Sequence, residues 1–435
     1  MMKHHDVFTG RQLFPINKSE YLEGNDGQFI IYSPLAHDYV EVEEAEMYAL
    51  KKQLEEKGRF DDNNLQQRLI AGCVTPPDNY VSSPDEAYAM TILPNNICNF
   101  SCSYCYAAKG HGQDELSYDT LKTVIDFFVD ASRTQRKDLY LSIGGGGEPM
   151  ISWDKFKYAV EYSDNLAQKQ GLKIHYSYAS NGSIINEDII STIKKYNIKA
   201  NISFDVLEDV QNAQRKNYRK VCETLDLLLG NDIFPTVNAV ITPLNVARQC
   251  EMVEEVHQRF PQLKRLTFDD VIDSQLFETP DELSQFYDTY TEHFYQARAL
   301  GKTYGIDVNS IKYHELDTLK SRACGGGFDV TPQGTLSVCF LVSSPKEPLY
   351  DTFVYGKITD EGVVYDRDKF KNLVEGSANQ REQCRNCFIR WHCGGGCLYN
   401  TQSFSKEQMD VLCHFQRRFS LIGLLNKKNE NNLSQ

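Results

Sequence analysis

The cysteines of this chain limit its fold more than any other feature, because they are numerous and clustered. Of the thirteen cysteines, three lie within residues 98–105 and five within residues 384–413. An odd number argues against a complete disulfide framework, and Met1–Arg11 contains no apolar signal-peptide core. Clustered cysteines in a reducing compartment typically bind metals. The sequence therefore predicts a cytoplasmic protein with metal sites.

Charge and hydropathy disfavour two classes of partner. Lys and Arg number 46 and Asp and Glu 60, so the net charge is −14 at pH 7. Such an acidic chain lacks the basic surface of a dedicated nucleic-acid-binding protein. No apolar run approaches the ~18 residues that cross a membrane. We therefore expect neither nucleic acid nor a membrane as a partner.

Residues 1–88 form the first of three regions that differ in sequence texture. The region contains two strand-like stretches, Gln28–Tyr32 and Tyr39–Val42, and a helical pattern over Glu43–Lys57. Prolines then mark a connector. The sequence predicts a small α+β region here, with too little chemistry for a catalytic domain.

Residues 89–310 alternate between strand and helix patterns. Behind a capping Ser117, apolar residues recur at the i, i+3, i+4 and i+7 spacing of a helix, at Leu121, Val124, Ile125 and Phe128. Consecutive βα units predict an α/β fold with a parallel sheet, either doubly wound or curled into a partial barrel. The six predicted strands are Ala89–Leu93, Leu139–Ile143, Lys173–Ala179, Lys199–Phe204, Thr236–Ile241 and Arg265–Asp269.

In residues 311–435 the alternation stops. Seven cysteines and two glycine runs take over, and few apolar residues are left for an ordinary core. Such a region is expected to fold around metal. Three cysteines lie outside both clusters and are expected to be small buried residues, namely Cys73, Cys222 and Cys250.

The first cysteine cluster directly follows the first strand of the βα series. Cys98, Cys102 and Cys105 have the spacing C-x3-C-x2-C. Three thiolates on one short loop suit three corners of a cubic iron–sulfur cluster and leave one iron open to a small molecule. The alternatives are a zinc loop with a distant fourth ligand, or three unrelated buried cysteines.

This loop, with Tyr104 before its last cysteine, resembles the cluster loop of radical S-adenosylmethionine (SAM) enzymes. The resemblance implies a partial (β/α)6 barrel, a [4Fe-4S] cluster and SAM as cosubstrate. It also implies that the thiolates hold the cluster whose electron cleaves SAM to a 5′-deoxyadenosyl radical. Further stretches at the ends of successive strands match the same family.

Two of these stretches concern the methionine and ribose parts of SAM. Gly146, Gly147 and Glu148, followed by a proline, resemble the GGEP motif, which holds the methionine amino group. Ser180 and Asn181, followed by a glycine, resemble the turn beside the ribose. Four glycines precede the glutamate where the family usually has two, so the loop path is not predicted.

The third stretch concerns the SAM carboxylate. Ser203, Phe204 and Asp205 resemble the family's strand end of serine, an apolar residue and aspartate. Arg215 follows at the usual distance and is implied to pair with the carboxylate. Read without the resemblance, Asn181 would belong to an ordinary turn and Arg215 to a solvated helix.

The cysteines of the third region resemble the SPASM extension of radical SAM enzymes, which carries two auxiliary [4Fe-4S] clusters. By this resemblance, the outer cluster is held by Cys384, Cys387, Cys393 and Cys413. The inner cluster is held by Cys324, Cys339 and Cys397. The inner site is one thiolate short, so Cys250, another group or an open iron completes it. The alternative is a pair of zinc ribbons completed by His392 or His414.

The resemblance implies an oxidoreductase-type enzyme that acts on a peptide or protein. The leading hypothesis is a maturase that installs a thioether, carbon–carbon or ether crosslink in a ribosomally made precursor peptide. The electron donor would be a flavodoxin or ferredoxin. Residues 1–88 are similar to winged-helix-like leader-binding domains, and an edge strand there would pair with the leader, although the region could equally be a simple cap.

Two other functions are weighed. An anaerobic sulfatase maturase, which forms formylglycine, typically has an acidic residue after the second auxiliary cysteine. Here Phe340 follows Cys339, which disfavours that function. A non-catalytic zinc-binding adaptor would contain zinc instead of iron and would not cleave SAM.

Overall fold

The computed structural model describes residues 12–76, 81–134, 136–375 and 382–433, so Met1–Arg11 lies outside the described residues. The chain divides into two compact units. We call residues 81–310 and 326–374 the sheet unit, and residues 1–80, 311–325 and 375–435 the terminal unit.

The strands are β1 (Phe14–Asn17), β2 (Gln28–Ser33), β3 (Asp38–Glu43), β4 (Ala89–Ile92), β5 (Asp138–Ile143), β6 (Lys173–Ser180), β7 (Lys199–Ser203), β8 (Thr236–Ile241), β9 (Arg265–Asp270), β10 (Asp307–Asn309), β11 (Asp329–Val330), β12 (Thr335–Ser337), β13 (Val354–Thr359) and β14 (Gly362–Tyr365). The α-helices are α1 (Glu44–Lys57), α2 (Asn63–Gln66), α3 (Tyr118–Phe128), α4 (Trp153–Gln170), α5 (Glu187–Tyr196), α6 (Glu208–Gln214), α7 (Tyr218–Gly230), α8 (Gln249–Arg259), α9 (Pro280–Tyr304), α10 (Ile311–His314), α11 (Tyr350–Phe353), α12 (Arg367–Glu375), α13 (Glu382–Arg385), α14 (Arg390–Cys393), α15 (Leu398–Ser403) and α16 (Lys406–Leu433).

The sheet unit is built on one eleven-stranded sheet, counted over its described residues, in the order β10-β9-β8-β7-β6-β5-β4-β11-β12-β13-β14. Strands β4 to β10 are parallel and follow chain order. All six predicted strands are present, with ends that agree to within one residue. The α/β fold class with a central parallel sheet is therefore confirmed.

Helix α3 shows why the predicted pattern folds as it does. The Ser117 hydroxyl accepts a hydrogen bond from the Thr120 amide at 3.0 Å and caps the helix. The four apolar residues predicted for its inner face, Leu121 among them, are all fully buried. Burial of each such side chain contributes roughly 1.5–3 kcal/mol. The cap and the apolar face thus set both the start and the orientation of the helix.

The sheet extends further than the sequence predicted. β11 pairs in parallel with β4, and β12 to β14 continue antiparallel from it. Residues 326–374, which the sequence texture placed with a metal-built third region, therefore continue the sheet of the second region. β10 adds a further parallel strand at the other edge. These strands escaped prediction because most of them are too short to show a period of two.

The terminal unit combines both ends of the chain. β1, β2 and β3 form an antiparallel sheet, and α1 follows β3 as predicted, one residue later than expected. In one buried cluster, Phe14, Ile30 and Tyr32 pack with Phe388 and with Leu421 of α16. The N-terminal strands and the C-terminal cysteine segment therefore share a hydrophobic core.

Among the described residues, no helix is long and apolar enough to cross a membrane.

The predicted regions 1–88, 89–310 and 311–435 have junctions close to those of the two units, but the units group the segments differently. The functional assignment of the three regions remains a prediction.

Candidate active site

The loop that carries the first three cysteines follows β4. The Ser103 amide donates to the Gln214 carbonyl at 2.9 Å, and the Cys105 amide donates to the Cys102 carbonyl at 3.2 Å. These contacts bring the thiols of Cys98, Cys102 and Cys105 into electrostatic reach of one another. Burial raises the pKa of Cys105 to about 11. A bound cation would favour the ionised form of this thiol.

The glycine run after β5 lies directly against this loop. Gly145 and Gly146 have φ values of 94° and 72°, which favour glycine. A Cβ atom on Gly147 would lie 2.2 Å from the Ile97 carbonyl oxygen and 2.3 Å from Asn95 Oδ1. The glycine run therefore turns sharply and places Gly147 against Asn95 and Ile97, just before the cysteine loop, which resolves the path that the sequence left open.

Glu148 is buried at the end of this run. Its carboxylate accepts hydrogen bonds from the Ser180 hydroxyl at 2.8 Å, the Asn181 amide at 2.7 Å and the Met150 amide at 3.1 Å. Burial raises the pKa of Glu148, although these hydrogen bonds oppose the shift. The Asn181 side-chain amide also lies 4.0 Å from the Cys98 sulfur. Three of the predicted stretches thus meet around one carboxylate.

Tyr104, Asp205 and Arg215 form a second buried group. The Tyr104 hydroxyl lies 2.8 Å from one Asp205 carboxylate oxygen, to which it donates, and Arg215 Nη1 donates to the same hydroxyl at 2.9 Å. Arg215 Nε is buried and has no hydrogen-bond partner among the described residues. Burial raises the pKa of Asp205. Arg215 therefore keeps an unused donor for an anionic ligand.

Sequence reasoning missed the residues that hold this group in place. Gln211 Oε1 accepts from the Asp205 amide at 2.9 Å, and Gln214 Nε2 donates to the Asp205 carboxylate at 3.1 Å. Val206, the residue after Asp205, has a φ of 66°, and this backbone conformation costs energy for a β-branched residue. The available signal was spacing, since both glutamines and Arg215 recur at i, i+3 and i+4 along α6 and its end.

Strand topology explains why these residues gather. The cysteine loop, the glycine run, Ser180 and Asp205 follow or end β4, β5, β6 and β7 in turn. Carboxyl ends of parallel strands meet at one edge of a sheet, where ligands of α/β folds bind. Ser203 ends β7 and pairs with Asn238 of β8.

The family model of the radical SAM superfamily matches residues 92–255 of this chain. These residues therefore form a radical SAM domain. The match spans the cysteine loop, the glycine run, Glu148 and the Tyr104–Asp205–Arg215 group. This chain therefore contains a radical SAM domain, for which SAM and a [4Fe-4S] cluster are expected.

Relatives of known sequence extend beyond this domain. The radical SAM cyclopropyl synthase TigE of Paramaledivibacter caminithermalis is 22% identical over 357 residues, which cover 74% of this chain and 70% of TigE. The cysteine-type anaerobic sulfatase-maturating enzyme of Clostridium perfringens is also 22% identical over 357 residues, covering 74% of this chain and 92% of that enzyme.

Solved structures show the same fold. The structure of anSMEcpe with bound AdoMet and a Kp18Cys peptide has a TM-score of 0.62 and 17% identity, and the match covers 79% of this chain and 99% of that one. Streptococcus suis SuiB bound to precursor peptide SuiA has a TM-score of 0.51 and 13% identity, with 91% and 97% covered.

The radical SAM domain has donors suited to both expected groups. Three thiols without disulfide partners suit three corners of a cluster. The unused Arg215 donor suits a carboxylate. Glu148 accepts three hydrogen bonds, and a carboxylate has about four acceptor positions, so capacity remains for an amino group.

We expect Tyr104→Phe to weaken SAM binding about tenfold or more, because it removes a hydrogen bond to two charged groups. The Asp205 carboxylate would lose a donor and Arg215 an acceptor. Equilibrium dialysis with the reconstituted protein measures the SAM dissociation constant. Tyr118→Phe, at an exposed position, serves as the control. Equal affinity in both variants would contradict the role assigned to Tyr104.

Four cysteines of the terminal unit also lie close together. Cys387 is in electrostatic reach of Cys384 and Cys413, and Cys393 is in reach of Cys387 and Cys413. Burial raises the pKa of Cys393 to about 12. We call these four residues the outer thiol set. They are the four that the SPASM resemblance assigns to one cluster, and that assignment remains a proposal.

The other predicted ligands are placed differently. Cys324 and Cys397 belong to the terminal unit, and Cys339 belongs to the sheet unit, where it follows β12. The Ala323 amide donates to the Gly394 carbonyl at 2.7 Å, which brings the segments of Cys324 and Cys397 together. The structure does not describe the inner set as one group, and its cluster remains a prediction.

The histidines of the zinc alternative have other contacts. His392 is buried, with Nε2 at 2.5 Å from the Tyr32 hydroxyl and Nδ1 at 3.0 Å from the Thr318 carbonyl oxygen. His414 stacks on Tyr21 at 5.5 Å. Across the described residues, no three His, Cys, Asp or Glu side chains converge on one metal-ion position. His392 would have to give up one of these hydrogen bonds to become a ligand, for example the one between Nε2 and Tyr32.

The three cysteines outside the clusters follow expectation only in part. Cys222 is buried in α7, whereas Cys73 and Cys250 are half-buried. The Cys73 thiol donates to the Leu69 carbonyl at 3.3 Å. Cys250 lies in the first turn of α8, within the sheet unit.

Proposed function

We propose that this enzyme is a radical SAM maturase that installs a thioether, carbon–carbon or ether crosslink in a ribosomally made precursor peptide. The observation that supports the radical SAM part of the proposal is the convergence of three thiols, Glu148 and the Tyr104–Asp205–Arg215 group at one edge of the sheet. When bound, the cluster supplies the electron that cleaves SAM to a 5′-deoxyadenosyl radical, which takes a hydrogen atom from the peptide. A reducing cytoplasm suits such free thiols.

The chain's own residues bind and orient the cosubstrate. We assign the SAM amino group to the remaining acceptor position of Glu148 and the SAM carboxylate to Arg215. The turn at Ser180 and Asn181 would lie beside the ribose, and Ser203 would close the site at the end of β7. Gln211 and Gln214 keep Asp205 in place, so that Tyr104 and Arg215 are oriented before SAM arrives.

Two observations favour a peptide crosslink over formylglycine formation. Phe340 occupies the position where the sulfatase maturases typically have an acid, and it is half exposed. Its ring meets the Tyr106 ring edge-on, with 6.5 Å between the ring centres. In the loop after Cys339, the carboxylate of Glu347 accepts from the Ser343 and Ser344 amides and is buried. Its hydrogen bonds fix the loop. The solved structures do not separate the two candidates, because SuiB was solved with a precursor peptide and anSMEcpe with a Kp18Cys peptide.

The sulfatase-maturase function is kept as a second candidate, because the Clostridium perfringens enzyme is matched over 92% of its length. The two candidates predict different products. A crosslink removes two hydrogen atoms and forms no aldehyde, whereas formylglycine is an aldehyde that reacts with hydrazines.

The test uses reconstituted protein with SAM, a flavodoxin or ferredoxin as reductant, and a candidate precursor peptide with its leader and core. We expect a product lighter by two hydrogen atoms per 5′-deoxyadenosine, inert to a hydrazine reporter and joined between two residues in fragment spectra. A parallel reaction contains a sulfatase-derived cysteine peptide. The crosslink proposal would be overturned if the sulfatase-derived peptide gave a hydrazine-reactive product while the precursor peptide gave no product. That result would support the second candidate.

A role for residues 1–88 in leader binding is also proposed, supported by the small antiparallel sheet of β1 to β3. Deletion of this region is a poor test. Phe14, Ile30 and Tyr32 share a core with Phe388, so deletion would also disturb the segment of the outer thiol set. Competition between full precursor and leaderless core peptide for the intact enzyme measures the same property.

A further inference from the structure

Two guanidinium groups flank the outer thiol set. Arg417 is in electrostatic reach of Cys387, Cys413 and the Tyr21 hydroxyl. Arg390 is in reach of Cys384 and Cys387. Its guanidinium lies 4.8 Å from the Trp391 ring centre, and its Nη1 donates to the Arg385 carbonyl at 3.2 Å. Both cations are thus held beside the four thiols.

Each of these guanidiniums has a donor that the protein does not use. The Nε atoms of Arg390 and Arg417 are buried and have no hydrogen-bond partner among the described residues. A buried cationic donor without an acceptor is costly, and such groups normally have a partner. Sulfur atoms of an iron–sulfur cluster bound to the neighbouring thiolates would be acceptors with negative charge. The outer thiol set therefore fits an anionic cluster.

The first three cysteines lie in a different electrostatic environment. Cys98 and Cys102 are near one cation, Arg215, but also near the carboxylates of Glu148 and Asp205. Around the outer thiol set, the acid near Cys393 is Glu315, which pairs with Lys320 at 2.5 Å. At the SAM site, two carboxylates and one guanidinium give a net negative charge. At the outer thiol set, two guanidiniums, one lysine and one carboxylate give a net positive charge.

We propose that Arg390 and Arg417 hold an iron–sulfur cluster in the outer thiol set at a higher reduction potential than the cluster that cleaves SAM. Net charge and hydrogen bonds to sulfur are the main protein controls on such potentials. Cations stabilise the extra negative charge of the reduced state. An electron shared between the two sites would therefore reside on the outer one. The inference rests on the cluster assignments of the proposed function, but not on its peptide substrate.

The experiment removes the SAM-cleaving cluster by replacing Cys98, Cys102 and Cys105 with alanine, so that no radical chemistry contributes. In this background, four variants are reconstituted and titrated with reductant, and electron paramagnetic resonance follows each cluster. They are Arg417→Gln, Arg390→Gln, Arg417→Lys and Arg418→Gln. Arg418 is the matched control, because it neighbours Arg417 on α16 but donates to the Tyr21 carbonyl, at 3.2 Å.

Arg417→Gln is expected to lower the midpoint potential of one signal by about 59 mV or more. For one electron, this is a tenfold or larger shift of the equilibrium towards the oxidised cluster. Arg417→Lys keeps the charge and should recover most of the shift, and Arg418→Gln should leave both signals unchanged. In the wild-type enzyme, the signal that SAM perturbs should have the lower midpoint potential.

Unchanged midpoint potentials in both Arg417→Gln and Arg390→Gln would overturn the proposal. Loss of the outer cluster's iron in the glutamine variants, but not in Arg418→Gln, would also overturn it and assign the arginines a scaffold role. Zinc instead of iron in the outer thiol set would also overturn the proposal. Failure of the peptide-crosslink function leaves all these readings unaffected, so the two failures are distinguishable.

Discussion

Cys102→Ala is expected to reduce the formation of 5′-deoxyadenosine to the level measured without enzyme. Cys102 is the middle thiol of the loop, and Ser103 beside it is tied to the Gln214 carbonyl. Without its sulfur, two thiols remain on the loop, which are too few to retain a cluster that is normally held by three or four. The reaction is followed by chromatography of SAM products with excess reductant.

Cys222→Ala is the matched control, because it removes a buried cysteine that lies outside both cysteine sets. It should retain the wild-type rate. Iron analysis adds a second reading, since Cys102→Ala should keep about eight of about 12 irons if both auxiliary clusters are loaded independently of this loop. Wild-type amounts of 5′-deoxyadenosine from Cys102→Ala would refute the assignment of this loop.

Gly147→Ala is expected to lower kcat/KM for SAM cleavage about a hundredfold or more. The new Cβ atom would lie 2.2 Å from the Ile97 carbonyl oxygen, so backbone must move. The movement would break the hydrogen bonds from the Gly147 amide to the Asn95 carbonyl and from the Glu148 amide to the Ile97 carbonyl. Glu148 would then be misplaced, and a displacement of about 1 Å in a catalytic site costs on the order of a hundredfold.

Gly230→Ala provides the comparison for Gly147→Ala. A Cβ atom there meets nothing within 4 Å, and Gly230 is the last residue of α7. We expect activity to be unchanged, with stability equal or higher by up to about 1 kcal/mol, since alanine favours a helix. If both alanine variants cleave SAM at the wild-type rate, the close contact of the glycine run with the cysteine loop has no functional role.

The sequence predicted most of the sheet unit, because its elements are long enough to show periodicity. The strands from β4 to β9 alternate buried and exposed residues or form apolar runs, and Ser117 marks the start of α3. β11 to β14 were not predicted as part of this sheet. Their pairing joins residues far apart in the chain, such as Asp329 with Thr91, and a local pattern contains no such information.

The candidate site was predicted in its residues but not in its contacts. The family resemblance named Glu148, Ser180 and Asn181 separately, whereas the structure joins them through hydrogen bonds to one carboxylate. The contact of Tyr104 with Asp205 spans about a hundred residues, and the positive φ of Val206 goes against the preference of its side chain. Such features follow from tertiary structure and have no local signal.

The same limit applies to the terminal unit. Its two ends share a core through Phe14, Tyr32 and Phe388, although almost the whole chain separates them. The spacing of the cysteines identified the outer thiol set. Nothing in that spacing indicated that Arg390 and Arg417 lie beside it, because arginines on helices usually face solvent.

The measurement that tests the central claim most directly is the content of iron, acid-labile sulfide and zinc in protein purified and reconstituted without oxygen. We predict about 12 irons per chain with an equal amount of sulfide, which corresponds to three cubic clusters. About four irons with two zincs would keep the SAM site but make the cysteines of the terminal unit a scaffold. Zinc without iron would contradict the account of a radical enzyme.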